Sequence, residues 1–100
     1  MMKIVAVTAC PTGIAHTYMA ADALVKAASK FNVQIKVETQ GAMGIENPLT
    51  PVDITHADRV LIVSDIEIEQ AGRFEGMNIV KIPIEDVLLN VDKVFLVHCR

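Results

Sequence analysis

The sequence predicts an α/β fold: a small doubly wound sheet of four parallel strands with helices on both faces. Two observations indicate this. Short β-branched runs such as KIVAVTA and RVLIVS lack strict polar alternation, so we expect both faces of these strands to be covered. Segments of helical character alternate with the strands, which is typical of βαβ units with right-handed crossovers. We predict the strand order 2-1-3-4, in which the direction of winding reverses beside the first strand.

The first half of the chain supplies two strands and a long helix. We predict the first strand over 3–9 and a helix over 15–30, where good helix formers dominate. The face of this helix that is expected to pack on the sheet comprises Ala20, Leu24, Ala27 and Ala28. Residues 33–38 alternate between apolar and polar, which predicts a half-exposed strand at the edge of the sheet. Residues 39–50 contain two glycines and an Asn-Pro step and are predicted to form a loop.

The middle of the chain carries a helix start and two further strands. Thr50 and Asp53 have the spacing of a capping box, and Pro51 suits the first position of a short helix. Residues 59–64 and 79–83 are predicted to be the third and fourth strands. Together with the first two, they complete the predicted parallel sheet.

Two segments remain between and after these strands. The segment 65–76 ends at a glycine and is a candidate for a short helix. From Ile84 onward the apolar positions follow helical spacing, which predicts a terminal helix. The run VFLV within it is also compatible with a strand.

Composition limits the function classes. One hundred residues, 52% of them apolar and 21% charged, fit one domain over 1–100. The net charge of −3 argues against nucleic-acid binding, and no apolar run approaches the roughly 18 residues of a membrane span. The N-terminus lacks the features of a secretory signal. Two cysteines without a C-x-x-C pair indicate reduced thiols, so we expect a cytosolic chain. The sequence does not determine the oligomeric state, and a monomer in isolation is the default expectation.

The connection between the first strand and the first helix, TACPTGIAHTY, is the candidate site. It lies at the carboxyl edge of the sheet beside the winding reversal, where doubly wound sheets bind ligands. Gly13 permits a positive φ, and backbone amides together with a helix N-terminus favour a phosphate-sized anion. The same field favours a thiolate at Cys10, which could attack a phosphoryl group. The residues predicted to hold that group are Thr12, Gly13, Ile14, Ala15, His16 and Thr17.

The spacing of this segment is close to that of cysteine phosphatases, C-x5-R-[S/T]. Cys10 is followed after five residues by His16 and Thr17, so a histidine replaces the arginine. The bidentate guanidinium clamp on phosphate is therefore lost. This favours a protein that holds a phosphoryl group and passes it on. A small cysteine phosphatase and a non-catalytic interaction module remain alternatives. The three histidines are scattered, so neither a metal nor a cofactor is predicted.

ACPTGIAHTYMAADAL resembles the phosphorylation loop and first helix of the fructose-type enzyme IIB domain of the bacterial sugar phosphotransferase system. VETQGAMGIENPLT, DITHADRVLIVSD and GRFEG are similar to later blocks of that family, in the same order. The resemblance covers residues 3–76 and is loose beyond them. It implies that Cys10 accepts a phosphoryl group from a phosphohistidine of the IIA component and donates it to a sugar in the membrane-embedded IIC component. It also implies a place in the cytoplasm, at the inner face of the cell membrane through IIC.

Other residues have weaker claims to a function. Thr39 and Gln40 end the second strand on the same rim as Cys10, and are candidate contacts to the loop or to a partner. Asp65 is expected to cap the segment that follows it rather than to act beside Cys10. Two residues are expected at the surface: His56 and Arg73. Cys99 is expected to be structural.

Overall fold

The computed structural model describes residues 2–11 and 15–99 of the chain. The elements in order are β1 (Lys3–Ala9), α1 (Ala15–Lys30), β2 (Gln34–Gly41), β3 (Gly44–Glu46), α2 (Pro51–Thr55), β4 (Arg59–Ser64), a 3-10 turn (Ala71–Phe74), β5 (Ile79–Ile82) and α3 (Ile84–His98). The strands lie in the order β3-β2-β1-β4-β5, and all neighbours are parallel except β2 and β3. The predicted α/β fold and the relative order of its four parallel strands are confirmed, with a fifth strand at one edge.

The outer edge of the sheet differs from the prediction. β2 continues to Gly41, turns through two residues and returns as β3, so it is paired on both sides. The predicted loop over 39–50 is therefore wrong at its start, and β2 is not the edge strand. Gly44 has φ +89°, a conformation that glycine adopts without strain. A three-residue strand is too short to show a polar alternation, which is why the sequence did not distinguish this hairpin from a loop.

The side chains of β1 alternate between two apolar layers. The layer with α1 and α3 receives Ile4 and Ala6, and also Cys10, which directly follows the strand. The opposite layer, with α2 and the 3-10 turn, receives Val5, Val7 and Ala9. The buried face of α1 contains the four residues predicted for it, and its alanines let the helix lie close to the sheet. Both faces of the sheet are covered, as the strand sequences predict.

The start of α2 confirms the predicted capping box. The Thr50 hydroxyl accepts a hydrogen bond from the Asp53 N–H at 3.1 Å, and the Asp53 carboxylate accepts one from the Thr50 N–H at 2.9 Å. Lys36 of β2 donates to the same carboxylate at 2.7 Å. The bond from Lys36 and those from Thr50 lower the pKa of Asp53 to about 2. The stabilisation from this carboxylate is present above its ordinary value of 3.8 and is lost as the pH falls towards 2.

Thr50→Ala is expected to lower the free energy of unfolding by about 1 kcal/mol, because it removes the side-chain acceptor at the N-cap. Urea denaturation measures the change. Thr50→Ser keeps the hydroxyl and is expected to stay within about 0.5 kcal/mol of the wild type. Equal stability of the alanine and serine variants would contradict the role of the cap.

The terminal helix α3 begins at Ile84, as predicted, and is interrupted at Asn90. This residue has φ −157° and ψ 77°, outside the helical region. Its side-chain oxygen accepts a hydrogen bond from the Lys93 N–H at 3.2 Å, as an N-cap residue does for the turn that follows it. The run VFLV is helical, so its interpretation as a strand is wrong. The apolar spacing continues through Asn90, and therefore the sequence predicted an unbroken helix.

Candidate functional site

Cys10 lies at the carboxyl edge of the parallel strands, directly after β1. β2 and β4 flank β1 on its two sides, so the winding reverses here as predicted. The side chain of Cys10 is only 4% exposed and belongs to the layer of α1 and α3. Pro11, the next residue, is exposed. The candidate nucleophile is therefore a sheltered sulfur at the position where this fold class binds ligands.

The first turn of α1 contacts the sulfur of Cys10. The hydroxyl of Thr17 donates a hydrogen bond to Cys10 Sγ at 3.1 Å, and Thr17 is fully buried. The Thr17 carbonyl accepts a hydrogen bond from the Thr8 hydroxyl at 3.0 Å, which ties this turn to β1. A hydroxyl aimed at sulfur favours the charged thiolate over the thiol. The N-terminus of α1 adds a partial positive charge in the same place.

The structure describes half of the predicted phosphate-binding residues. The predictions for Thr12, Gly13 and Ile14 lie outside the described residues. Ala15 and His16 open α1 with exposed side chains, whereas Thr17 faces inward. The N–H groups of this first turn have no acceptors within the helix itself. The sequence predicted an amide contact from Thr17 and missed the contact of its hydroxyl with the sulfur.

A pocket of about 430 Å³ opens beside Cys10. One wall is the β2–β3 hairpin, from Gln40 to Gly44. The other wall is the segment 65–70, which we call the strap and which contributes Ile66, Glu67 and Glu69. Both glutamates are exposed, so the wall that faces the hairpin is acidic.

A buried ion pair anchors the residues that follow the strap. Glu38 of β2 is fully buried, and Arg73 of the 3-10 turn donates to both of its oxygens, at 2.8 and 2.5 Å. Gln40 Nε2 and the Leu49 N–H each donate to the carboxylate at 2.9 Å. Burial by itself raises the pKa of Glu38, but the hydrogen bonds from Arg73, Gln40 and Leu49 outweigh it, so the pKa is lowered.

The prediction that Arg73 is a solvated side chain is wrong. The side chain is only 18% exposed, and its guanidinium also lies 4.7 Å from the ring centre of Phe74. Its partner Glu38 is 35 residues away in sequence, on another element. No local pattern signals such a pairing.

Gln40 joins the strap to the sheet. Its Nε2 donates to the Glu69 carbonyl at 3.0 Å, and its Oε1 accepts from the Glu69 N–H at 2.8 Å. The structure therefore brings this candidate to the Cys10 pocket. Thr39, the other candidate on β2, is buried in the sheet opposite Thr8.

The remaining candidates are not among the residues that line this pocket. Asp65, the first residue of the strap, accepts a hydrogen bond from the Ile84 N–H at 3.4 Å, which joins it to the start of α3. The prediction that it caps the segment following it is therefore wrong. His56 is exposed at the end of α2, which confirms the predicted surface position. Cys99 is buried, and burial raises the pKa of its thiol to about 11, as suits a structural residue.

Metal-ligating side chains do not gather in the described part of the chain. Within residues 2–11 and 15–99, no group of three or more His, Cys, Asp or Glu residues could hold a metal ion. The histidines lie apart: His16 is in the first turn of α1, His56 follows α2 and His98 ends α3. Over the same described residues, none of the helices has the length and apolar character that crossing a lipid bilayer requires.

The chain is similar to one family along nearly its whole length. The family model described as "PTS system, Lactose/Cellobiose specific IIB subunit" matches residues 5–96. The "PTS system fructose-like EIIB component 2" of Escherichia coli strain K12 is 50% identical over 94 residues, which are 94% of this chain and 89% of that protein. The "PTS system fructose-specific EIIABC component" of Bacillus subtilis strain 168 is 49% identical over 82% of this chain and 13% of that protein.

Solved structures give the same result. The crystal structure of a "predicted fructose specific IIB" from Escherichia coli has a TM-score of 0.91 at 43% identity, over 97% of this chain and 86% of that one. A domain of a fructose-specific IIABC component from Borrelia burgdorferi has a TM-score of 0.88 at 43% identity, over 95% of this chain and 90% of that one. These likenesses extend past residue 76, where the resemblance of the sequence becomes loose.

Proposed function

Because this chain belongs to the IIB family of the bacterial sugar phosphotransferase system and is of the fructose type, we propose that Cys10 is its phosphoryl-carrying nucleophile. The Cys10 thiolate attacks the phosphorus of a phosphohistidine on the IIA component. The S–P bond forms as the P–N bond breaks. A hydroxyl of the sugar held by the membrane component IIC then attacks the phosphorus, and the S–P bond breaks. The products are the sugar phosphate, the restored thiolate and the proton that the hydroxyl releases.

The observation that supports this proposal best is the hydrogen bond from the Thr17 hydroxyl to Cys10 Sγ. An inert buried cysteine packs as a small apolar side chain and needs no such donor. A hydroxyl at 3.1 Å, together with the N-terminus of α1, stabilises negative charge on the sulfur. The thiolate is the form that attacks phosphorus, so these contacts suit a nucleophile.

We further propose that the amides of Thr12 to Thr17 hold the transferred group. In support, the described part of this segment is the first turn of α1, where N–H groups and the helix dipole favour an anion. His16 stands where cysteine phosphatases carry arginine, and an imidazole cannot form the bidentate clamp of a guanidinium. Weaker binding of the phosphoryl group suits a protein that transfers this group to an acceptor.

The relatives indicate which partners the proposed transfer needs. IIB components work with IIA and IIC components, and the names of the relatives from Bacillus subtilis and Escherichia coli show fused EIIABC and EIIBC chains. We therefore place the chain at the inner face of the cell membrane, through contact with IIC. In this scheme IIC binds the sugar, so the sugar is not selected by the Cys10 pocket.

The test is an intact-mass measurement. After incubation with phosphoenolpyruvate, the general phosphotransferase components and a fructose-type IIA protein, we expect a lasting gain of one phosphate. Cys10→Ser is expected to show no gain, whereas Cys99→Ser, which changes a buried thiol outside the pocket, is expected to behave as the wild type. Turnover of an aryl phosphate with only transient modification would indicate a phosphatase. No gain with any fructose-type IIA, and no effect of Cys10→Ser, would indicate an interaction module.

A further inference from the structure

The strap forms a wall of the Cys10 pocket without belonging to the sheet. Residues 65–70 lie between β4 and the 3-10 turn, and none of them is part of a strand or an α-helix. Gln40 bonds both the N–H and the C=O of Glu69, in the way that one strand residue pairs with another. A single side chain therefore supplies two bonds between the backbone of the strap and β2.

The direction of the Gln40 amide is determined by its neighbours. Nε2 has two hydrogens, and they bond the Glu69 carbonyl and Glu38 Oε2. If the amide were turned over, its oxygen would face these two acceptors. Arg73 keeps Glu38 ionised, because it donates to both carboxylate oxygens and lowers the pKa of the group. The buried ion pair thus orients Gln40, and Gln40 holds Glu69 of the strap.

The hydrogen bonds of Gln40 described above go to Glu38 and Glu69 and do not involve Cys10. Gln40 lies beside Ala9, whose side chain faces the layer opposite to that of Cys10. The sulfur is contacted from the other layer, by Thr17 of α1. Loss of the Gln40 bonds should therefore change the wall of the pocket without changing the nucleophile.

We propose that Gln40 is a positioning residue that keeps the strap in place as a preformed wall, against which the phosphorylated IIA partner docks. The inference rests on the proposed function. Ile66, Glu67 and Glu69 share the pocket with Cys10, so a partner that reaches the sulfur meets them. A loop that must become ordered during docking costs affinity. Loss of the Gln40 bonds is therefore expected to raise KM for the phosphorylated IIA partner and to leave kcat unchanged.

Gln40→Ala tests this directly. With phosphorylated IIA as the donor, KM is expected to rise about fivefold while kcat stays within about twofold of the wild type. Backbone amides of the strap are expected to exchange with solvent faster, and those of α1 to exchange as before. Gln40→Met keeps the length of the side chain without its hydrogen bonds, and it is expected to give the same result if Gln40→Ala does not fold.

Asn47→Ala is the matched control. Asn47 Nδ2 donates to the Val37 carbonyl at 2.9 Å, so this variant also removes a side-chain amide bond to β2, but one that does not touch the strap. Asn47 has φ 52°, and the loss of stability is therefore expected to be at least as large as for Gln40→Ala. We expect KM and kcat of the control to match the wild type. Equal effects of the two variants on KM would overturn the inference, because the role of Gln40 would then be merely structural.

The remaining outcomes separate this inference from the proposed function. If the wild type takes no phosphoryl group on Cys10, the proposed function is wrong and the inference is wrong with it. If the wild type is phosphorylated but the Gln40 variants keep its KM, or lose kcat at constant KM, only the inference is overturned.

Discussion

Arg73→Met is expected to lower the free energy of unfolding by about 3–5 kcal/mol at neutral pH, because it leaves the Glu38 carboxylate buried without its counter-ion. Glu38 is fully buried, and Arg73 supplies two of its four hydrogen bonds. Native domains are stable by only about 5–15 kcal/mol in total. The loss is therefore large enough to measure by urea denaturation or as a fall in Tm.

The pH dependence of the stability shows whether the unpaired Glu38 carboxylate causes the loss. In the wild type the folded pKa of Glu38 is lowered, so its stabilisation is present above the ordinary value of 4.5 and is lost as the pH falls through the folded pKa. In Arg73→Met, burial is no longer outweighed and should raise this pKa. The variant is then most destabilised at neutral pH. As the pH falls from 7 to about 5, the difference in the free energy of unfolding between the variant and the wild type is expected to become smaller.

Two controls accompany this measurement. Lys26→Met breaks an ion pair with Asp22 in which the two side chains are 77% and 65% exposed, and it should change stability by less than about 0.5 kcal/mol. Glu38→Gln combined with Arg73→Met removes the buried charge, so the double variant should be more stable than Arg73→Met alone. If the double variant is no more stable, the unpaired carboxylate is not the source of the loss.

Thr17→Val is expected to slow alkylation of Cys10 by iodoacetamide at pH 7 by between about tenfold and a hundredfold. Valine has nearly the shape of threonine but lacks the hydroxyl that donates to Cys10 Sγ. A hydrogen bond to a charged group contributes about 1.5–3 kcal/mol, and here it favours the reactive thiolate. The same variant should reduce the rate of phosphoryl transfer from IIA.

The threonines around the sulfur allow a controlled comparison. Thr17→Ser keeps the hydroxyl and is expected to react within about threefold of the wild type. Thr8→Val removes the neighbouring bond to the Thr17 carbonyl without touching the sulfur, and it should affect stability more than alkylation. If Thr8→Val slows alkylation as much as Thr17→Val, the hydroxyl of Thr17 has no specific effect on the sulfur.

Local sequence patterns were sufficient to predict most of the fold. The bounds predicted for α1 are those observed, because helix formers fill it from Ala15 to Lys30 and its small residues recur on one face. The cap at Thr50 follows from a spacing of three residues. The position of Cys10 follows from topology, since the end of β1 at the winding reversal is set by the strand order alone.

Contacts between distant segments could not be predicted from such patterns. The alternation in residues 33–38 predicted a half-exposed strand, but the segment that contains Arg73 covers the face of β2 that carries Glu38. The pairing of Gln40 with Glu69 spans 29 residues. The interruption of α3 at Asn90 is hidden because the apolar spacing on both sides of it stays in phase.

The two outer strands of the sheet bear on the behaviour of the chain at high concentration. β3 has three residues and β5 has four, and β5 is followed at once by Pro83. Long flat edges offer rows of unpaired N–H and C=O groups that foreign strands can extend, which is a route to aggregation and amyloid. Here the short strand β3 of the hairpin forms one edge of the sheet, and Pro83 ends the strand β5 that forms the other edge. Protection against aggregation is thus provided by turns and strand lengths.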